Sequence, residues 1–172
     1  MKHSRNIEIK ARLHSPAAPA ELAHGLSDRP AEVLHQVDTF FNVRTGRLKL
    51  REFRDGAGEL ISYHRPDGTE PTCSQYSIYP TQSPKRLKVA LEETLGVMGV
   101  VRKTRLLLLH GQTRIHLDEV EGLGHFVELE VVLKADQIEE AGEAIAQQLM
   151  ATLEVRAEDL AGCAYIDLLA NA

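Results

Sequence analysis

Charged and apolar residues alternate one for one in five short runs of this chain: Glu8-Ile9-Lys10, Arg47-Leu48-Lys49-Leu50-Arg51, Lys103-Thr104-Arg105, Arg114-Ile115-His116-Leu117-Asp118 and Glu128-Leu129-Glu130. Successive side chains of a β-strand point to opposite faces, so each run read as a strand sends its charges one way and its Ile or Leu residues the other. Bases come from the middle of the chain and acids from its two ends. Faces of complementary sign that meet in one interior describe an enclosed polar site for a polyanion and a metal.

The same pattern predicts strands over 6–13, 35–43, 47–53, 59–65, 74–79, 100–109, 113–120 and 126–133. Arg44-Thr45-Gly46 joins two of them as a hairpin loop whose glycine supplies φ > 0. Asp55-Gly56-Ala57-Gly58, Pro66-Asp67-Gly68, His110-Gly111 and Gly122-Leu123-Gly124 mark further turns. A weak helix is expected over 20–26, with Ser15 and Pro16 near its start. A firmer one opens on Ser83 as N-cap with Pro84 at its first position and closes at Gly96. An Asp136/Glu139 capping box opens a third, running to about Leu149, and a last covers roughly 157–169. About eight strands and three or four helices in this order exclude a parallel βαβ fold. They favour an α+β domain, residues 1–172 in one unit, built on an antiparallel barrel or strongly curved sheet with helices outside.

A net charge of -5 argues against a generic nucleic-acid surface, for which the whole domain would lean basic. Aromatic residues make up 5% of the chain and Trp is absent, so platforms for stacking bases are scarce. Cys73 and Cys163 are far apart and fit no metal-ligand spacing, as expected of reduced thiols. The N-terminus runs straight into a charged strand without the apolar stretch of a signal peptide, and no apolar run approaches a membrane span. A cytoplasmic protein with no nucleic-acid or membrane partner is the expectation.

Arg47, Lys49 and Arg51 on one strand face could be solvated, but such faces usually mix signs to avoid like-charge repulsion. Three cations in a row need an anion, and Lys103 with Arg105 repeats the demand. Guanidinium forks match phosphate with paired hydrogen bonds, while lysine acts as a mobile point charge. Glu128 and Glu130 share a face, and Asp118 lies two positions beyond His116 in the preceding strand. Acids so close repel unless a cation lies between them, and hard ions such as Mg²⁺ or Mn²⁺ take oxygen ligands of this kind. Neither a G-x-x-x-x-G-K-[ST] phosphate loop nor a dinucleotide fingerprint is present. No pair of histidines shows ligand spacing. His35, His110 and His125 read as structural or turn residues, and the role of His116, on the charged face, stays open.

These residues in this order resemble the CYTH family, the triphosphate tunnel metalloenzymes, which include class IV adenylyl cyclases and thiamine or inorganic triphosphatases. Asn6-Ile7-Glu8-Ile9-Lys10 is similar to the family's E-x-E-x-K signature. The likeness continues through His35-Gln36-Val37-Asp38-Thr39-Phe40-Phe41, Leu48-Lys49-Leu50-Arg51, Lys103-Thr104-Arg105 and Arg114-Ile115-His116-Leu117-Asp118. It closes with Gly122-Leu123-Gly124-His125-Phe126-Val127-Glu128-Leu129-Glu130 and Ala164-Tyr165-Ile166-Asp167-Leu168-Leu169.

The resemblance implies a closed or nearly closed eight-stranded antiparallel tunnel with a charged lumen. Lys10, Lys49, Arg51, Arg65, Lys103, Arg105 and Arg114 would bind the triphosphate, with Lys10, Arg51, Arg105 and Arg114 the catalytic set. Glu8, Asp118, Glu128 and Glu130 would hold Mg²⁺ or Mn²⁺. The implied partner is a triphosphate small molecule, ATP or polyphosphate, and a homodimer is left open. Three activities remain: a cyclase making cyclic AMP and pyrophosphate, a triphosphatase, and a non-catalytic polyphosphate or nucleotide binder. Asn6 departs from the signature by removing its first acid, which puts metal affinity and the number of metals in question.

Overall fold

The structure is a computed structural model that describes residues 4–172. Its strands are β1 (Ser4–Leu13), β2 (Glu32–Phe41), β3 (Arg47–Phe53), β4 (Gly58–His64), β5 (Thr72–Thr81), β6 (Val97–His110), β7 (Thr113–Val120) and β8 (Gly124–Val132). They close into a barrel in the order β1-β5-β4-β3-β2-β6-β7-β8, with every neighbouring pair antiparallel. Four helices pack outside: α1 (Ala17–Leu26), α2 (Pro84–Leu95), α3 (Glu139–Thr152) and α4 (Tyr165–Ala170). None of the described helices is long and apolar enough to cross a membrane.

The alternation that predicts strands also decides where the core lies. Ile9, Ala11, Leu108, Ile115, Val127 and Leu129 point outward and pack with Ala23 of α1, with Leu149 of α3 and with Leu153 just after it. Ile7, Val131 and Ala146 extend this layer. Burying a large apolar side chain contributes about 1.5–3 kcal/mol; this outer layer leaves the middle of the barrel to charge, while a second cluster of Phe40, Val101, Val120, Phe126, Tyr165 and Ile166 fills the end crossed by the C-terminal segment. Helix α3 approaches closely because Gly142 has no side chain: a Cβ there would stand 2.6 Å from Ile7 Cγ1 and Leu133 Cδ2. Gly46, at φ 65°, makes the expected hairpin turn between β2 and β3.

Strands β1, β2, β5, β6 and β8 begin two or three residues earlier than expected, and the helix ends differ in detail. Helix α1 starts earlier, at Ala17, with Pro16 as N-cap. Ser83 precedes α2 and Pro84 occupies its first turn, but the serine side chain makes no cap bond. Asp136 does not cap α3; Ile138 precedes the helix, and Glu139 and Glu140 supply the negative charge that its first turn favours. The final helix is split into a 3-10 turn at Ala157–Asp159 and α4. Between them the backbone turns to bind the barrel instead of itself: the Ala161 amide donates to the Lys10 carbonyl, and the Gly68 amide to the Gly162 carbonyl.

That crossing gives the barrel two unlike ends. At one, Leu160 bridges Ala11, the Tyr165 hydroxyl donates to Asp118, and Arg47 makes a two-bond clasp on Asp167. The other end gathers the starts of β1, β2, β4 and β7 and the ends of β3, β5, β6 and β8, as antiparallel pairing requires.

Candidate functional site: the barrel lumen

A cavity of about 370 Å³ occupies the lumen. Each of the eight strands contributes every second residue: Asn6, Glu8 and Lys10 from β1, Glu32, Gln36 and Asp38 from β2, Lys49 and Arg51 from β3, Glu59 and Tyr63 from β4, Ser74 and Tyr76 from β5, Lys103 and Arg105 from β6, Arg114 and His116 from β7, Glu128 and Glu130 from β8. Arg65, just after β4, joins them. All seven expected bases therefore line one cavity, together with three of the four expected acids.

The fourth acid, Asp118, is placed differently. Its carboxylate receives two bonds from Arg105, at 2.7 and 2.6 Å, and one from Tyr165. It is fully buried behind that guanidinium and is not part of the cavity lining. In this arrangement Asp118 positions Arg105, with its Oδ2 shared between that guanidinium and Tyr165. Arg47 departs too: it clasps Asp167 and also approaches Asp67 at 3.8 Å, so it is not part of the lumen face.

A residue assigned no role in the sequence organises the bases. Asp38 of β2 is 1% exposed and accepts from Lys49 at 3.0 Å, from Arg51 at 2.8 Å through both oxygens, and from Lys103 at 2.9 Å. Burial alone would raise its pKa, but Arg51, Lys103 and Lys49 outweigh burial and hold the carboxyl well below the usual range. The hairpin register decides this: Phe41 lies opposite Leu48, which sets Asp38 opposite Arg51, one residue from the register that strands over 35–43 and 47–53 would give.

Burial also pushes Lys103 down to about 7, aided by Arg51, Arg105 and Lys49 and opposed by Asp38. Glu8 is pushed up to about 7, first by burial and then by Glu128, against Lys10 and Arg65. Arg105 behaves oppositely. Burial disfavours its charge, yet Asp118 and Glu128 raise it well above the ordinary value. Seven bases line the cavity with six acids, Glu8, Glu32, Asp38, Glu59, Glu128 and Glu130, and Asp118 lies behind Arg105. The formal charges of the lining and Asp118 therefore balance, and the bases are already oriented by short pairs such as Arg105–Glu128 at 2.6 Å and Lys10–Glu128 at 3.5 Å. Lys10 is held further by the Tyr165 ring, 4.3 Å from its Nζ.

The residues fit a divalent cation at one wall. His116, Glu128 and Glu130 each offer a ligand atom, all within 4.8 Å of one another. Near them in the same lining, Asn6 is 3% exposed and its Oδ1 has no hydrogen-bond partner. A buried amide oxygen without a partner is uncommon and is costly unless something else satisfies it.

Residues 4–163 match the CYTH domain family. Solved structures of similar shape include a Pyrococcus horikoshii protein, 22% identical, with a TM-score of 0.82 over 95% of this chain and 99% of that one. A Vibrio parahaemolyticus protein named as a candidate adenylate cyclase is 21% identical, with a TM-score of 0.76 over 98% and 99% of the two chains. A Hippeastrum protein, named as a candidate adenylyl cyclase with a dominant triphosphatase activity, is 16% identical, with a TM-score of 0.65 over 98% and 95%. Among curated proteins none matches. At such identities the shared shapes speak for the fold alone, while the family match spans almost every element that builds the lumen: the chain belongs to the CYTH domain family.

Proposed function

We propose that this chain is a metal-dependent CYTH enzyme that takes the triphosphate of an organic substrate into its lumen and acts as a class IV adenylate cyclase-like enzyme, converting ATP to cyclic AMP and pyrophosphate. The observation that carries the reading is the composition of the open end. Leu34, Phe53, Ile78 and Leu107 line the lumen there, beyond the basic belt and with the acids Glu32 and Glu59 among them. Inorganic tripolyphosphate has no use for such a surface, whereas a base and sugar bury apolar area against it.

Within the belt the chain's own groups divide the work. Lys10, Lys49, Arg51, Arg65, Lys103, Arg105 and Arg114 bind and orient the phosphate oxygens, and Lys10, Arg51, Arg105 and Arg114 neutralise charge as it develops on them. Asp38 and Asp118 keep the bases in position between turnovers. Glu8, Glu128 and Glu130 hold Mg²⁺ or Mn²⁺, which when bound polarises the phosphoryl oxygens. The free thiols of Cys73 and Cys163 fit work in the cytoplasm.

A triphosphatase is the second reading, favoured by the same belt, because an in-line water in place of a ribose hydroxyl needs no other lining. Incubation with ATP and with tripolyphosphate, each with Mg²⁺ or Mn²⁺, and separation of cyclic AMP, pyrophosphate and phosphate decides between them. Cyclic AMP with pyrophosphate is the expected result. Phosphate without cyclic AMP, accompanied by ADP from ATP or by pyrophosphate from tripolyphosphate, supports the second reading, and binding without turnover supports a polyphosphate or nucleotide binder.

A further inference from the structure

We propose that His116 is a ligand of the lumen metal, and that with Glu128 and Glu130 it selects a first-row transition dication such as Mn²⁺, Co²⁺ or Zn²⁺ over Mg²⁺. The proposal rests on the reading of the lumen as a metal-assisted triphosphate site and names the metal class and one ligand of that site.

Geometry comes first. His116 of β7 lies opposite Glu128 of β8, and Glu130 is the next inward residue on the same strand. His116 Nδ1 stands 3.3 Å from Glu128 Oε2 and 3.9 Å from Glu130 Oε1. An ion with bonds of about 2.1 Å holds adjacent donors roughly 3 Å apart and opposed donors roughly 4.2 Å apart. The three donors thus need only small side-chain adjustments to share one ion. His116 is 3% exposed, so a ligand in the cavity would reach a fixed imidazole rather than a mobile one.

The donor set then decides the metal. Mg²⁺ favours an all-oxygen octahedron and gives up water reluctantly, while imidazole nitrogen suits later first-row ions, with affinity rising from Mn²⁺ towards Zn²⁺. Asn6 acts in the same direction. It lines the same cavity two positions before Glu8, which pairs with Glu130, and its unpartnered Oδ1 is a neutral oxygen where a carboxylate would add charge for Mg²⁺. Arg105 donates to Glu128 Oε2 at 2.6 Å besides its two bonds to Asp118, so a phosphate that takes over the bond to Glu128 leaves the guanidinium held by Asp118. Polyanion entry therefore frees the carboxylate that the ion uses.

The test is pulsed EPR of Mn²⁺-loaded protein in a nitrogen-free buffer, alone and with tripolyphosphate, which contains no nitrogen. A ¹⁴N coupling of a directly bound imidazole is expected in the wild type and is absent in His116→Gln. Calorimetry should show Mn²⁺ binding at least about tenfold more tightly than Mg²⁺, with that preference lost in His116→Gln. Bound Mn²⁺ without ¹⁴N coupling overturns the proposal even if the variant fails to fold, and so does equal affinity for the two metals. Nitrogen coupling without any tripolyphosphate binding would leave the metal site standing and reject the triphosphate reading instead.

Discussion

Replacing Asp38 with Asn keeps the shape of the side chain and deletes the one charge shared by Lys49, Arg51 and Lys103. All three lie within 3.0 Å of its carboxylate, which is 1% exposed. Removing one partner of a buried ion pair costs about 3–5 kcal/mol, and here three cations are left facing one another. For a chain of this length each kcal/mol moves Tm by about 2–4 °C, so Asp38→Asn should melt on the order of 10 °C lower. Triphosphate affinity should change in the opposite direction. At an effective dielectric near 20 and a separation of about 7 Å, one carboxylate repels each phosphate charge by about 2 kcal/mol. Its loss raises tripolyphosphate affinity more than about tenfold, since 1.4 kcal/mol corresponds to a factor of ten. Thermal melts with and without tripolyphosphate, followed by calorimetric titration, measure both effects. A variant with wild-type Tm, or one that binds tripolyphosphate more weakly, refutes the view of Asp38 as an internal stand-in for the polyanion.

Lys103 links the lumen to pH. Its folded value is about 7 against 10.5 in the open chain, so between these limits the unfolded state binds more protons and the stability of the empty protein rises with pH. Lys103→Met should flatten that rise in urea melts from pH 7 to 10. A bound polyanion favours the charged amine, so at pH 8 tripolyphosphate binding should take up protons, read from titration heats in buffers of different ionisation enthalpy. Asn6→Glu adds a carboxylate beside the Glu8–Glu130 pair and should tighten Mg²⁺ binding without substrate in a calorimetric titration; unchanged affinity would place Asn6 beyond the metal's reach.

Strand positions and the inward set were legible because a two-residue period survives folding: Lys49, Arg51, Lys103 and Arg105 point together as their alternation requires. What remained hidden depends on which strand lies next to which. β1 is bonded to β5 and β8, and β2 to β6, pairings that no local pattern fixes. The partners of Asp118 illustrate this. Its spacing from His116 puts it on the charged face, but only the fold shows that β6 brings Arg105 opposite it and that the C-terminal segment adds Tyr165. The split of the last helix was likewise set by backbone bonds to β1 and to Gly68, contacts far away in sequence. Asp38 belongs with these: the expected loop 44–46 pairs Val43 with Arg47 and would set it opposite Glu52, whereas the structure pairs Phe41 with Leu48 and sets it opposite Arg51.

The central claim is that the lumen, and not the outer surface, binds triphosphate. Thermal melts with tripolyphosphate and no metal, in low and high salt, test it with two variants beside the wild type. Arg51→Met removes a lumen guanidinium, and Arg54→Ala removes one outside the cavity lining. The wild type and Arg54→Ala should gain Tm with rising tripolyphosphate, less so at high salt, while Arg51→Met loses most of that gain, as the loss of about 2–4 kcal/mol of positioned charge requires. Equal gains in all three proteins, or no gain in any, would contradict the account.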